Sequence, residues 1–313
     1  MADFDPNKVA SYLIDAHARK IPFRNIPPEI TPHNVDEAYA AQDALVRILG
    51  EREGRIAGLK IATTTKVMQE LMGIGHPCAG AIFASRIHQS PARLRAKDYV
   101  SLKIEFELAF RLARDLPASS APFEPGRMLE AVDGVMPAFE LVDDRHAVYR
   151  ETSALSLIAD NAWNAGIVLG SPRDPRAVPD LDKLPGRLSL GDQRFEGKSD
   201  RPLEALAWIA DLTAKLGPGL RRGMIVMTGS LIPTQAHRRR RERGLRGGWP
   251  RRGAPSGRLR RPGSSQGARL SRFSAIWGQD FAEGGTAAPT IGGGGTALPS
   301  ILAKAAASRA SRP

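Results

Sequence analysis

Cysteine is nearly absent from this sequence, because Cys78 is the single cysteine among 313 residues. An intramolecular disulfide and a metal site built from several cysteines are therefore excluded. The histidines show neither an HxH nor an HExxH spacing, which argues against a histidine-based metal site. No apolar run approaches the ~18 residues that a membrane span requires, and the first residues lack the apolar core of a signal peptide. We therefore expect a cytoplasmic protein with no membrane partner.

The excess positive charge is confined to the end of the chain. Residues 237–313 contain 16 Lys and Arg against 3 Asp and Glu, whereas the whole chain has a formal net charge of +12. Residues 1–236 are close to neutral, with 29 basic and 30 acidic side chains. A basic protein can indicate a nucleic-acid partner. Here the charge does not belong to the body of the protein, so nucleic acid is not the expected partner.

The same terminal segment also differs in composition. It holds 14 of the 31 glycines and no Val, Tyr or Asn, so it has few side chains with which to bury a core. Residues 1–236 are long enough for one sizeable domain. We predict a helical segment over residues 1–57, a folded domain over 58–236, and a tail over 237–313 that is disordered or the product of a shifted reading frame.

Local patterns predict both helices and strands. Asn34 is the predicted cap of one helix, and Ser199 or Asp200 of another that begins at Pro202. Residues 156–163 are predicted to form a turn. We expect helices over residues 9–19, 34–51, 66–72 and 202–216, and strands over 59–62, 103–113, 135–142 and 224–228.

The clearest pattern is the alternation over residues 103–113. Ile104 and Phe106 fall on one face of a strand, whereas Glu105 and Glu107 fall on the other. Two neighbouring carboxylates repel each other, and burial adds to the cost of each charge. A divalent cation removes that conflict, and oxygen ligands suit Mg²⁺ or Mn²⁺. The alternative is that both glutamates lie on a solvated face of the strand.

A series of segments resembles the motifs of one known family. The segments are AYAAQDALV at 38–46, GLKIATTTKVMQ at 58–69, IEFELAF at 104–110, VMPAFELVDDR at 135–145, ADNAWNAGIVLG at 159–170 and GSL at 229–231. Their order and spacing resemble the 2-keto-4-pentenoate hydratase branch of the fumarylacetoacetate hydrolase family, over roughly residues 8–235. The resemblance implies an α+β fold, in which a helical N-terminal segment precedes a mixed β-roll or sandwich, and it implies a homo-oligomer.

The resemblance also implies a site and an activity. Glu105, Glu107 and Glu140 match the family's ligands for Mg²⁺ or Mn²⁺. Lys60 matches its catalytic lysine, which would bind an oxygen of a small-molecule 2-keto acid. Ser230 would line the substrate pocket, although turn formation explains it equally well. The implied reaction is the hydration of a 2-hydroxy-dienoate (2-keto-4-enoate) to a 4-hydroxy-2-oxo acid in the catabolism of aromatic compounds.

Some acidic residues have simpler roles. Glu140 could pair with Arg145 instead of binding a metal ion. Asp143, Asp144 and Asp160 are expected to be local hydrogen-bond or ion-pair partners.

The sequence departs from the family pattern at two places. Ala62 replaces a glycine, and Cys78 stands where many hydratases have an aspartate that is a candidate proton relay. Decarboxylation of a 2-keto diacid and hydrolytic C–C cleavage are therefore alternative reactions.

After residue 236 the resemblance stops, and the family's closing strands have no counterpart. An Arg- and Gly-rich tail can bind nucleic acid through phosphate contacts, which is one interpretation. The other is a reading-frame shift in a GC-rich gene, which would leave an inactive relic or an impaired enzyme.

The frame-shift interpretation predicts what the gene contains. Arg codons of the form CGN, read one base later before another C, encode Val, Ala, Asp or Gly. Translation of the other two frames from about codon 236 should therefore restore a segment resembling the family's closing strands. If neither frame contains such a segment, the interpretation is wrong.

Overall fold

The computed structural model describes residues 4–178, 180–190, 193–232, 234–236 and 268–269. The predicted tail over 237–313 lies outside the described residues, apart from the pair at 268–269. The described α-helices are α1 (Pro6–Ala18), α2 (Val35–Glu53), α3 (Lys66–Met72), α4 (Ala154–Ala159) and α5 (Pro202–Leu216). The strands are β1 (Ile56–Ala62), β2 (Cys78–Phe83), β3 (Ile87–Gln89), β4 (Arg93–Leu94), β5 (Leu102–Leu112), β6 (Leu116–Pro117), β7 (Val132–Asp143), β8 (Asn164–Leu169), β9 (Pro185–Leu190), β10 (Gln193–Lys198), β11 (Gly219–Leu220), β12 (Ile225–Ser230), β13 (Gln235–Ala236) and β14 (Ala268–Arg269).

A mixed sheet forms the centre of the fold, with the strand order β2-β1-β12-β5-β7-β8-β3 and β13 paired to β5. The pairs β1–β12 and β3–β8 are parallel, and the other neighbours along this order are antiparallel. The two outermost strands, β2 and β3, are joined by the single 3-10 turn Ala84–Arg86. The chain therefore brings both edges of the sheet together, and the sheet curves into a roll.

The two faces of β5 differ as the alternation predicts. Leu108 and Phe110 belong to the large core that also contains residues of α5 such as Leu206. Ala109 points to the other face and packs with Met136 of β7, among other residues of β8 and β12. Alternate residues of β5 therefore lie on the outer and the inner face of the roll, and the glutamates of β5 lie on the inner face.

The predicted helices are confirmed, with one correction. The Asn34 side chain caps α2 by accepting a hydrogen bond from the Glu37 amide at 2.9 Å. The predicted cap of α5 is wrong, because Arg201 occupies that position and no side chain caps the helix. The Ser199 hydroxyl accepts from the Leu184 amide instead and donates to a backbone carbonyl. Asp200 is exposed and pairs with Arg201 at 3.4 Å.

Residues 156–163 also differ from the predicted turn, since α4 covers their first half. None of the described helices combines the length and apolar character needed to cross a membrane.

A strained turn between α4 and β8 contacts β2, one of the outermost strands of the sheet. Asn161, Ala162 and Trp163 all have left-handed φ values, between 46° and 56°, a conformation that disfavours residues with a Cβ. The Asn161 side chain offsets this strain by accepting from the Ala81 amide at 2.6 Å and donating to the Ala81 carbonyl at 2.9 Å. A Cβ at Gly80 would lie 2.6 Å from the Asn161 carbonyl oxygen, so glycine permits the close approach.

Asn161→Ala is expected to lower the free energy of unfolding by about 2–4 kcal/mol, because it leaves two buried backbone groups of β2 unpaired. Chemical denaturation monitored by circular dichroism measures this loss. Asn25→Ala is the matched control, since Asn25 makes the same pair of side-chain-to-backbone bonds at the surface. The free energy of unfolding of the control variant should fall by about 1 kcal/mol or less. Equal losses in both variants would contradict the role of burial.

Candidate active site

Three carboxylates converge on the inner face of the roll. Glu105 and Glu107 lie two residues apart on β5, and Glu140 lies on β7 directly opposite Glu105. One oxygen from each lies within 4.8 Å of the others. Glu107 and Glu140 are 0% exposed, so the alternative of a solvated strand face, which concerned Glu105 and Glu107, is wrong for Glu107.

Hydrogen-bond donors hold one oxygen of each buried carboxylate. Lys60 Nζ and Asn164 Nδ2 both lie 3.0 Å from Glu140 Oε1. The Gly229 amide donates to Glu107 Oε2 at 2.9 Å. Glu105 is more exposed and accepts from the Thr234 hydroxyl. Each carboxylate therefore has a defined orientation.

The opposite oxygens of the buried pair have no partner. Glu107 Oε1 and Glu140 Oε2 are fully buried and make no hydrogen bond. A buried unpaired oxygen costs about 1–3 kcal/mol, and more if it is charged. A cation between these oxygens would remove that cost, and carboxylate oxygens are the ligands that Mg²⁺ and Mn²⁺ prefer. Glu105, Glu107 and Glu140 could therefore hold such an ion.

The charges in the site lead to the same conclusion. Burial raises the pKa of Glu140 to about 7, although Lys60 acts in the opposite direction. Burial and the neighbouring Glu140 and Glu105 carboxylates raise the pKa of Glu107 well above its usual value. Three ionised carboxylates and Lys60 together leave two negative charges, which a divalent cation would neutralise.

Lys60 lies on the inner face of the roll, although its neighbours Leu59 and Ile61 belong to the outer core. It is 2% exposed. Burial opposes its positive charge, but Glu140 and Glu105 outweigh this effect and raise its pKa. The lysine is therefore a charged donor held inside the site.

Cys78 lies on β2 opposite Ala62, two residues along β1 from Lys60. The thiol is buried and lies 3.6 Å from the Thr63 hydroxyl. Burial raises the pKa of Cys78, although Lys60 opposes this effect, so the group is a neutral thiol at pH 7. It differs in charge from the aspartate that the family pattern would place there.

Ser230 lies at the border of the site, opposite Glu107 in the pairing of β12 and β5. Its hydroxyl lies 2.5 Å from the Ile232 carbonyl oxygen, which is the contact of a turn. The same residue lines a cavity of about 280 Å³ together with Gly229 and Thr64, but neither Lys60 nor any of the three glutamates lines this cavity. The turn contact is therefore observed, whereas the pocket-lining role stays a prediction.

The proposed pairing of Glu140 with Arg145 is wrong, because Arg145 binds Asp160. Asp160 also lies 2.6 Å from His17 of α1. Asp143 accepts from the Ser101 amide at 2.7 Å, and Asp144 accepts from the His146 amide at 3.0 Å. The three aspartates are therefore local partners, as expected from the sequence.

Comparison with known proteins gives the family. No family model matches the chain. A 2-keto-4-pentenoate hydratase of Paraburkholderia phymatum is 34% identical over 206 residues, which are 64% of this chain and 77% of that protein. A 2-keto-4-pentenoate hydratase of Burkholderia vietnamiensis is 31% identical over 242 residues, 74% of this chain and 90% of that protein. The chain belongs to the 2-keto-4-pentenoate hydratase family.

Solved structures establish the fold of this family member. The chain is similar to 4-oxalocrotonate decarboxylase from Pseudomonas putida G7, complexed with magnesium and adipate, with a TM-score of 0.67 and 22% identity. The alignment covers 74% of this chain and 89% of the decarboxylase. The α+β fold expected from the sequence is thereby confirmed.

Asn164, Gly229 and Thr234 donate hydrogen bonds to the three carboxylates, and the sequence patterns did not predict these contacts. Asn164 and Gly229 lie inside segments that resemble the family, but neither has a spacing that indicates a carboxylate partner. Their contacts depend on the pairing of β7 with β8 and of β5 with β12.

The raised pKa values predict how stability depends on pH when a chelator is present. The pKa of Glu140 is raised from 4.5 to about 7 and that of Glu107 is also raised. The folded protein therefore binds more protons than the unfolded chain in this range, so its stability falls as the pH rises. Glu107→Gln removes one of these groups, and the melting temperature of the metal-free protein should depend less on pH.

Differential scanning fluorimetry between about pH 5 and pH 8 measures this effect. Glu130→Gln is the control, because Glu130 is exposed and lies 3.8 Å from Arg127. This variant should keep the wild-type dependence. An unchanged dependence in Glu107→Gln would show that the buried carboxyl group does not take up a proton on folding.

Proposed function

We propose that this protein is a hydro-lyase dependent on Mg²⁺ or Mn²⁺. It adds water to a 2-hydroxy-dienoate, the enol of a 2-keto-4-enoate, and gives a 4-hydroxy-2-oxo acid in the breakdown of aromatic compounds. The observation that carries the proposal is the pair of buried, unpartnered carboxylate oxygens, Glu107 Oε1 and Glu140 Oε2, close to Glu105 and beside Lys60. The names of the related hydratases supply the class of substrate.

Glu105, Glu107 and Glu140 would hold the metal ion through one oxygen each. The ion supplies positive charge for the carboxylate and 2-oxo oxygens of the substrate. The donors on the opposite oxygens, Lys60, Asn164 and the Gly229 amide, keep Glu140 and Glu107 from rotating. The protein's own contribution at this stage is a fixed orientation of the ligands.

Lys60 would stabilise the negative charge that develops on the substrate. Its ammonium group would donate a hydrogen bond to a substrate oxygen, where negative charge accumulates as the 2-hydroxyl proton is lost. A proton added at C5 then gives an α,β-unsaturated 2-oxo acid. Water then adds across the C3=C4 double bond, with its hydroxyl on C4 and a proton on C3, so the product differs from the substrate by the elements of one water molecule.

Cys78 changes which groups near Lys60 can accept a proton. Because the buried thiol is protonated at neutral pH, it cannot accept a proton as a carboxylate would.

The substrate is a small molecule. We further propose that the protein is a cytoplasmic homo-oligomer and that neither nucleic acid nor a membrane is its partner.

The activity is tested with the full chain, Mn²⁺ or Mg²⁺, and 2-hydroxypenta-2,4-dienoate. We expect the ultraviolet absorbance of the dienol to decrease as 4-hydroxy-2-oxopentanoate forms. Glu107→Gln and Lys60→Met should each reduce kcat/KM by about 10²-fold or more, because the first removes a proposed ligand of the metal ion and the second removes a positive charge that would stabilise the transition state. Glu130→Gln should leave kcat/KM unchanged.

The other outcomes separate the alternatives. Release of CO₂ from a 2-keto diacid without hydration would indicate a decarboxylase, and cleavage of a C–C bond would indicate a hydrolase. If no substrate is consumed although nucleic acid binds and truncation at residue 236 abolishes that binding, the protein is a nucleic-acid binder.

A further inference from the structure

Two donors share one oxygen of Glu140. Lys60 Nζ and Asn164 Nδ2 lie at the same distance, 3.0 Å, from Glu140 Oε1. Lys60 extends from β1, whereas Asn164 is the first residue of β8, the strand paired to β7. The two donors therefore reach the carboxylate from different parts of the sheet.

The two buried glutamates are held differently. Glu107 Oε2 accepts from the backbone amide of Gly229, a donor that does not depend on the conformation of any side chain. Glu140 Oε1 depends on two side chains, and its other oxygen has no partner. The orientation of Glu140 is thus the one that a change in side-chain contacts can disturb.

Lys60 also has to bind the substrate in the proposed reaction. If Lys60 donates to a substrate oxygen, it gives up part of its interaction with Glu140. A fully buried carboxylate that loses its donor costs about 1–3 kcal/mol or more, and it can rotate away from the position of a ligand. The amide of Asn164 is neutral and continues to hold Glu140 Oε1.

We propose that Asn164 is a positioning residue, which keeps Glu140 oriented for the metal ion when Lys60 turns to the substrate. This inference rests on the proposed function. Hydrogen bonds to the non-coordinating oxygen of a metal ligand orient that ligand, and their loss typically weakens metal binding about 10–100-fold.

The test measures Mn²⁺ binding to the full chain without substrate, from the free Mn²⁺ signal in electron paramagnetic resonance. Asn164→Leu keeps the side-chain size but removes the donor, and it should weaken Mn²⁺ binding about 10–100-fold. Asn164→Ser keeps a shorter donor and should retain more of the affinity. Wild-type affinity in Asn164→Leu would overturn the proposal.

A variant of the neighbouring Asn161 distinguishes a positioning role of Asn164 from a purely structural one. Asn161→Ala should lower the melting temperature, because its side chain holds β2, yet leave the Mn²⁺ affinity of the folded protein unchanged. If both asparagine variants lose affinity in proportion to their loss of stability, Asn164 acts through the fold and the proposal is wrong.

A double-mutant cycle with Lys60→Met tests whether the donors share the oxygen. Removal of either donor leaves Glu140 Oε1 one partner, whereas removal of both leaves none. The loss of Mn²⁺ affinity caused by Asn164→Leu should therefore be larger in the Lys60→Met background. Equal losses in both backgrounds would show independent action and contradict the sharing.

Failure of this inference differs from failure of the proposed function. If Glu107→Gln binds Mn²⁺ as tightly as the wild type, the metal site itself is wrong. If Glu107→Gln loses binding and Asn164→Leu does not, the site is correct and only the role of Asn164 fails.

Discussion

The arrangement of this site depends on the cost of placing three carboxylates close together in a closed space. Glu107 and Glu140 have no access to water, and one lysine supplies the positive charge near them. Every carboxylate oxygen that lacks a donor must therefore face a cation, take up a proton or remain at a high free energy. The strands around the roll bring donors to one side of each buried carboxylate and leave the other side available. Affinity for a divalent ion and low stability without it are consequences of the same geometry.

The sequence was sufficient to predict the parts of the site that depend on local periodicity or on a motif. The alternation along β5 predicted that Glu105 and Glu107 share a face, and the family resemblance added Glu140 and Lys60. The distances among them follow from strand register, which pairs residues far apart in the chain. For the same reason the contact of Asn164 could not be predicted, since it depends on how β8 aligns with β7.

Errors in the fold prediction also have physical causes. Ser199 has the composition of a helix cap, but its hydroxyl is engaged by the segment around Leu184, so the tertiary contact prevails over the local preference. Residues 154–159 form a short helix although they lack a side-chain cap, because nearly all of them are buried. Propensity is a weak guide where burial decides the conformation. The long helices, whose apolar stripes and caps agree, were predicted well.

The position of β12 in the sheet has a consequence for how the site forms during synthesis. β1 pairs with β12 through Gly58 and Ile225, so strands from opposite ends of the folded domain are neighbours. Contacts between distant segments form slowly, because a long loop must close first. The amide of Gly229 reaches Glu107 only after almost all of the domain has left the ribosome. A chain that stops before β12 would therefore contain all three glutamates and the lysine, yet it would lack the strand that joins them. Metal binding would then report complete synthesis of the domain, and not merely the presence of its ligands.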